Sequence, residues 1–249
     1  MTDVEKLASI LKSSHGAVFF GGAGMSTESG VPDFRSANGI YNRKLHQEFR
    51  PEEMASHSFL VHHPEAFFEF YREHRIFHNI RPNAGHEALA ELERRGIVRL
   101  VVTQNIDGLH QAAGSQNVCE LHGSIARWPC TVCGTIYPTA YVLQEEHKPI
   151  PYCEACGGLV RPGVVLYGEG LDPDVLEKSI RAIRDADTLI VGGTSLVVYP
   201  AAGLIDYFQG RHLVLINQTE THADASADLV IRSPIGRVLK EAVAALPQR

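Results

Sequence analysis

Ala17-Val18-Phe19-Phe20-Gly21-Gly22-Ala23-Gly24-Met25-Ser26-Thr27 is the stretch that decides the fold. An apolar run with no polar interruption suits a strand buried on both faces of a parallel sheet. Glycines at its end let the backbone approach a pyrophosphate, with a helix N-terminus beneath it. The spelling is G-x-G-x-x-T and not G-x-G-x-x-G, and no acid at the end of a nearby second strand is placed to hold a ribose. An ordinary dehydrogenase fingerprint is therefore not met. Taken alone, the motif also reads as a tight strand–helix turn.

Working outward, similar runs occur at Val98–Val102, Val164–Tyr167, Thr188–Val191 and His212–Ile216, with a shorter one at Leu229–Ile231. Helical patterns lie between several of them. Thr2 to Ser13 is amphipathic, Asn83 caps a helix through Arg95, and Asp172-Pro173 opens another through about Asp185. Pro200 to Phe208 and Ile235 to Ala245 read as two more. Alternating strands and helices predict an α/β fold with a doubly wound, Rossmann-like parallel sheet. Ile40 to about Arg81 and Ser124 to Leu159 break the alternation and read as insertions. The expected organisation is a nucleotide-binding domain from 1–39, 82–123 and 160–249. A helical insertion (40–81) and a cysteine-bearing insertion (124–159) form a small lobe beside it.

Cys130, Cys133, Cys153 and Cys156 read C-x2-C-x19-C-x2-C, the spacing of a zinc ribbon. Two knuckles aim four thiolates at one point, and a closed tetrahedral shell leaves no position for water, so one Zn²⁺ with a structural role is expected. The fifth cysteine, Cys119, is expected to be a buried small hydrophobe.

The 249 residues are 44% hydrophobic with net charge −6, which argues against a general nucleic-acid or anionic-membrane binder. No apolar run reaches membrane-spanning length, and the start lacks the apolar core of a signal peptide. A cytoplasmic protein with no membrane or nucleic-acid partner is expected, and the oligomeric state is left open.

Polar and glycine clusters follow the strands: Gly30-Val31-Pro32-Asp33-Phe34-Arg35, Thr103-Gln104-Asn105-Ile106-Asp107-Gly108-Leu109-His110, Glu120-Leu121-His122-Gly123, Tyr167-Gly168-Glu169 and Gly193-Thr194-Ser195-Leu196-Val197-Val198-Tyr199-Pro200. In a doubly wound sheet these ends share one ligand-binding edge. Singly, each residue has a plainer reading: His122 as a hydrogen-bonded structural histidine, Asp107 as a turn or helix cap, Arg35 as a surface cation.

Together, and in this order over nearly the whole chain, these motifs resemble the sirtuins, NAD-dependent protein-lysine deacylases. GVPDFR and GTSLVVYP most resemble the prokaryotic class-U-like branch. The resemblance implies that Ala23, Thr27, Phe34 and Arg35 line the phosphate and ribose region and that Gln104 holds the ribose. Thr194, Ser195, Asn217 and Ile235 would lie near the adenosine half. Asn105, Ile106 and Asp107 would form the nicotinamide pocket, and His122 would be the general base and line the NAD site. The acyl-lysine peptide would add as a strand between two segments, Val165, Tyr167, Gly168 and Glu169 on one side and Leu196 and Val197 on the other. The implied reaction consumes NAD as co-substrate. Nicotinamide leaves, the acyl oxygen attacks C1′ to give an alkylimidate, His122 draws a proton from a ribose hydroxyl, and water releases lysine and O-acyl-ADP-ribose.

Other signals fall away. His86-Glu87 opens like H-E-x-x-H, but position 90 is Ala. Asn217-Gln218-Thr219 is a glycosylation triplet without meaning in a cytoplasmic chain, and His57, His62, His63, His74 and His78 are expected to be solvated or packing residues. Relatives that remove acidic acyl groups use Tyr-x-x-Arg, whereas here Tyr71 precedes His74 and Arg75, so an acetyl or similar neutral group is expected. The readings carried forward are a deacetylase, a protein ADP-ribosyltransferase using the same NAD site, and a non-catalytic NAD-sensing module.

Overall fold

The computed structural model describes residues 1–33, 39 and 49–247. The strands in chain order are β1 (Ala17–Gly21), β2 (Val98–Thr103), β3 (Val118–Glu120), β4 (Gly123–Ser124), β5 (Arg127–Pro129), β6 (Ile136–Pro138), β7 (Gly163–Val164), β8 (Thr188–Gly192), β9 (His212–Ile216) and β10 (Leu229–Ile231). The helices are α1 (Asp3–Ser13), α2 (Pro51–Met54), α3 (His57–His62), α4 (Pro64–His74), α5 (Ala84–Arg94), α6 (Leu109–Ala112), α7 (Thr139–Leu143), α8 (Pro173–Arg184) and α9 (Ile235–Ala244).

One six-stranded sheet runs β10-β9-β8-β1-β2-β3, with every pair parallel. Read from the other edge, its strands follow the 3-2-1-4-5-6 order of dinucleotide-binding folds, and the order reverses between β1 and β8. All five residues of β1 are buried, and they alternate between two cores. Ala17 and Phe19 face a core shared with α1, α5 and α9; Val18 and Phe20 face one shared with α8 and Ala201–Ile205. Burial on both faces explains the near-continuous apolar runs, although exposed Arg99 interrupts that of β2.

Local chemistry sets the helix starts. Asn83 accepts from the Gly85 N–H, and Asp172 accepts from the Asp174 and Val175 N–H groups with Pro173 next in line. Thr2 and Glu5 form a capping box on α1. A third core joins Met54, Phe67, Phe68 and Tyr71 of the helical segment to Trp128, Tyr141, Cys130 and Cys153 of the cysteine segment, and extends to Val164 and Leu166.

Several expectations need correction. Val164–Tyr167 is not a strand of the main sheet: Gly163–Val164 pairs, antiparallel, with β4, and Tyr167 forms a single parallel bridge with Ser56. The chain turns at 166–169, where Gly168 has φ +89° and the Glu169 N–H donates to the Leu166 carbonyl. Pro200–Phe208 is not α-helical; Ala201–Tyr207 winds as 3₁₀ turns, with the Gly203 N–H donating to the Pro200 carbonyl. No α-helix follows β1 directly, since Ala23–Met25 and Thr27–Ser29 form 3₁₀ turns. β3 carries no apolar run to mark it, since its three residues, Val118-Cys119-Glu120, end in a carboxylate. Of the stretch expected to be helical from Ile40, α2 to α4 carry the described part, and 40–48 lie outside the described residues. Among the described residues, no helix is long and apolar enough to cross a membrane.

Candidate NAD and zinc sites

The loop after β1 lies directly on the loop after β8. The Gly22 N–H donates to the Gly192 carbonyl at 3.2 Å and the Gly24 N–H to the Gly193 carbonyl at 2.8 Å. A Cβ on Gly24 would stand 2.8 Å from Gly193 Cα, so this glycine is demanded by loop–loop approach at the point where strand order reverses.

Around that point the strand ends interlock. The Gln104 N–H donates to the Gly21 carbonyl at 2.9 Å, and Gln104 Nε2 donates to Thr194 Oγ1 at 3.1 Å. Asn105 is buried and donates through Nδ2 to Ser26 Oγ at 3.0 Å. Ser26 Oγ in turn donates to Asp107 Oδ2 at 2.7 Å. Asp107 Oδ1 accepts the Leu109 N–H at 3.0 Å, so Asp107 ties the turn that leads into α6 as well as facing Ser26. Burial raises its carboxyl above the ordinary range, with the Leu109 N–H and Ser26 hydroxyl opposing.

His122 follows β3, and its Nδ1 lies 2.8 Å from the Gln104 carbonyl oxygen. A carbonyl only accepts, so Nδ1 carries the proton and Nε2 keeps its lone pair. Burial pushes the imidazole pKa down and the Arg75 charge adds to this, against the pull of the Gln104 carbonyl. The neutral form is the one a general base needs.

The remaining expected residues fall in different places. Ala23 and the exposed Thr27 stand on the β1 loop, and Ser195 is exposed on the β8 loop. Asn217 follows β9, its Nδ2 donating to the Thr219 carbonyl at 3.0 Å. Ile235 does not open onto a surface: it is 4% exposed within the core shared by α1, α5 and α9. Leu196 is also buried as a side chain, while Val197 and Tyr167 are exposed. The Ile106 carbonyl accepts from the Ile125 N–H at 3.0 Å, and the Val165 N–H donates to the His122 carbonyl at 2.9 Å. Phe34 and Arg35 lie outside the described residues. Sequence reasoning missed Ser26, which links Asn105 to Asp107. A hydroxyl beside the glycines was the available signal, but serine there also suits a plain turn.

The four knuckle cysteines converge, with all sulfurs within 4.8 Å of one another. Cys130 and Cys156 Sγ are 3.5 Å apart, and Cys133 and Cys153 Sγ 3.6 Å. Zn–S bonds of about 2.3 Å in a tetrahedron place sulfurs about 3.8 Å apart, so the residues fit zinc. Around them the Val132 N–H points at Cys130 Sγ at 3.4 Å, Thr135 Oγ1 at Cys133 Sγ at 3.2 Å, and Tyr137 Oη at Cys153 Sγ at 3.2 Å. Such donors orient thiolate ligands. Cys119 is buried in the core beside α8, apart from this group. Of the set-aside histidines, His57 pairs with Glu169 at 2.8 Å and His63 packs on Phe49 and Phe59.

Strand order, interlocked strand ends and a four-sulfur knuckle define a dinucleotide-binding enzyme fold that carries a zinc ribbon. Residues 22–200 match the model of the Sir2 family, and the chain belongs to that family. A relative from Clostridium perfringens, an NAD-dependent protein deacetylase, is 57% identical over 241 residues, 96% of this chain and 98% of the relative. Another of that name, from Staphylococcus aureus strain NCTC 8325, is 44% identical over 238 residues, 96% and 97% of the two chains. Among solved structures, a Sir2 homologue–NAD complex matches with TM-score 0.86 and 41% identity, covering 96% of this chain and 92% of that one. A Sir2–p53 peptide–NAD⁺ complex matches with TM-score 0.86 and 36% identity, covering 98% of each chain.

Proposed function

We propose that this protein is an NAD-dependent protein-lysine deacetylase, producing nicotinamide, free lysine and O-acetyl-ADP-ribose. The observation that carries this reading is the His122–Gln104 hydrogen bond. It fixes the tautomer with the proton on Nδ1 and leaves the Nε2 lone pair available beside Asn105 and Asp107, while burial favours the neutral ring. A deacetylase needs such a base after nicotinamide has left; an NAD-sensing module has no use for one.

In this reading the loops after β1 and β8 hold NAD, with Ala23, Thr27, Phe34 and Arg35 toward its phosphates and ribose. Gln104 faces the ribose, and Thr194, Ser195 and Asn217 the adenosine half. Ile235 supports that half from the core beneath β8. Asp107 has lone pairs beyond those used by Ser26 and Leu109, and these accept from the nicotinamide carboxamide beside Asn105 and Ile106. His122 Nε2 takes a proton from a ribose hydroxyl and so turns it toward the acyl carbon. The acyl-lysine peptide adds as a strand along Val165, Tyr167, Gly168 and Glu169, with Leu196 and Val197 opposite. Among the described residues, the Val165 carbonyl and Gly168 N–H enter no backbone hydrogen bond, which supports pairing there. Zinc, held by Cys130, Cys133, Cys153 and Cys156, supplies structure alone. The small-lobe division at 40–81 and 124–159, the class-U-like affinity, an acetyl preference and a cytoplasmic location belong to the same reading.

Mixing the protein with NAD and an acetyl-lysine peptide and weighing the products tests it. Nicotinamide, deacetylated peptide and O-acetyl-ADP-ribose should appear in equal amounts. A peptide that gains the mass of ADP-ribose would instead make it a transferase.

A further inference from the structure

Glu169 is expected on the peptide edge, yet its carboxylate is already occupied inside the protein. Arg161 grips it as a fork, Nη1 to Oε1 at 2.5 Å and Nη2 to Oε2 at 3.0 Å. Oε2 also accepts the Leu166 N–H at 2.9 Å, and His57 Nδ1 lies 2.8 Å from Oε1. Such bidentate, charge-assisted contacts fix geometry. Here they close the 166–169 turn across its own base.

The three partners come from three places. Arg161 sits where the cysteine segment ends, its N–H donating to the Pro129 carbonyl at 3.1 Å and its Nη2 to the Val164 carbonyl at 2.9 Å. His57 opens α3, and its backbone N–H donates to the Tyr167 carbonyl at 2.9 Å, while the Tyr167 N–H donates to Ala55 at 3.1 Å. One edge of the segment is thus pinned to the helical insertion, and the turn is drawn toward the zinc-bearing hairpin. Among the described residues, the Val165 carbonyl and the Gly168 N–H enter no backbone hydrogen bond.

We propose that Glu169 is a positioning residue for the acyl-lysine peptide: clamped by Arg161 and His57, its carboxylate holds the 165–168 backbone in the shape that accepts an added strand. This rests on the reading that the peptide docks on that edge. It replaces a direct peptide contact by Glu169 with an indirect role, and it makes peptide affinity depend on both insertions at once. The Arg161–Glu169 pair is bidentate and mostly shielded, its side chains 17% and 21% exposed, so its loss also lowers the melting temperature somewhat; the peptide KM read against kcat and the NAD KM isolates the local effect on the edge.

Steady-state kinetics on Glu169→Gln, His57→Ala and the double variant test the proposal, with melting followed in parallel. Glu169→Gln should raise the peptide KM about tenfold, while kcat and the NAD KM stay within about twofold. His57→Ala, at an exposed position, should raise the peptide KM about threefold, and the double variant should fall short of the product of the singles. An unchanged peptide KM in both single variants overturns the proposal. So does a Glu169→Gln enzyme whose kcat, NAD KM and melting temperature deteriorate together. A second arm uses peptides N-methylated at the residues flanking the acetyl-lysine. Loss of affinity there supports edge docking, whatever the variants do. Undiminished affinity removes the docking edge, and the role of Glu169 with it.

Discussion

In the proposed reaction, the part played by His122 depends on which ring nitrogen holds one proton. The Gln104 carbonyl settles this in favour of Nδ1, and burial together with the Arg75 charge keeps the second proton off Nε2. The sign follows directly: a nearby cation disfavours the imidazolium, so its removal raises the His122 pKa. Arg75→Met should therefore move the acid limb of the kcat/KM profile to higher pH by roughly half a pH unit. An acid limb that stays in place would show that Arg75 does not act on the base. Ser26 belongs to the same scale. Its hydroxyl accepts from Asn105 and donates to Asp107, so it orients both side chains at once. The motif that contains it was legible in the sequence, but its role was not, because nothing along the chain brings position 26 next to positions 105 and 107.

Among the elements, the zinc knuckles carry the most consequence for their size. Cys130 and Cys153 belong to the same core as Phe67, Phe68 and Tyr71 of α4, so metal removal should loosen the helical segment as well as the hairpins. Complete chelation should lower the melting temperature and expose amides of α4 to hydrogen exchange, while β1, β2 and β8 stay protected. Unchanged melting after chelation would contradict a structural metal. The four-cysteine spacing made this element readable without any tertiary information. The central strands were readable for a different reason, since burial on both faces leaves near-continuous apolar runs. That same signal misled at Val164–Tyr167, where Val164 and Leu166 enter the third core and Tyr167 stays exposed. At Ala201–Tyr207 the apolar spacing fits either helix type, and the pattern does not choose between i+3 and i+4 bonding.

For the molecule as a whole, the doubly wound order converts scattered loops into one site, and it also buries two histidines beneath them. His86 and His110 pack with ring centroids 4.8 Å apart, and Asn83 donates its N–H to His86 Nδ1 at 3.2 Å. Burial drives the His86 pKa down to about 4. Burial, with the neighbouring His86, drives that of His110 down to about 3. Both stay neutral in the folded protein, whereas the unfolded chain takes up protons near pH 6.5. Stability present above that value is lost as pH falls toward these lower values, about 2 kcal/mol per histidine by pH 5. Urea unfolding at pH 7.5 and 5 should show this loss, and His110→Phe should lessen it; an identical pH dependence in the variant would contradict the assignment. The central claim is that His122 acts only after nicotinamide has left. It is tested most directly by incubating His122→Ala with NAD, acetyl-lysine peptide and labelled nicotinamide. The account predicts that label enters NAD, only when the peptide is present, while no O-acetyl-ADP-ribose forms. Formation of O-acetyl-ADP-ribose at the unmodified rate, or loss of label exchange together with product, would contradict it.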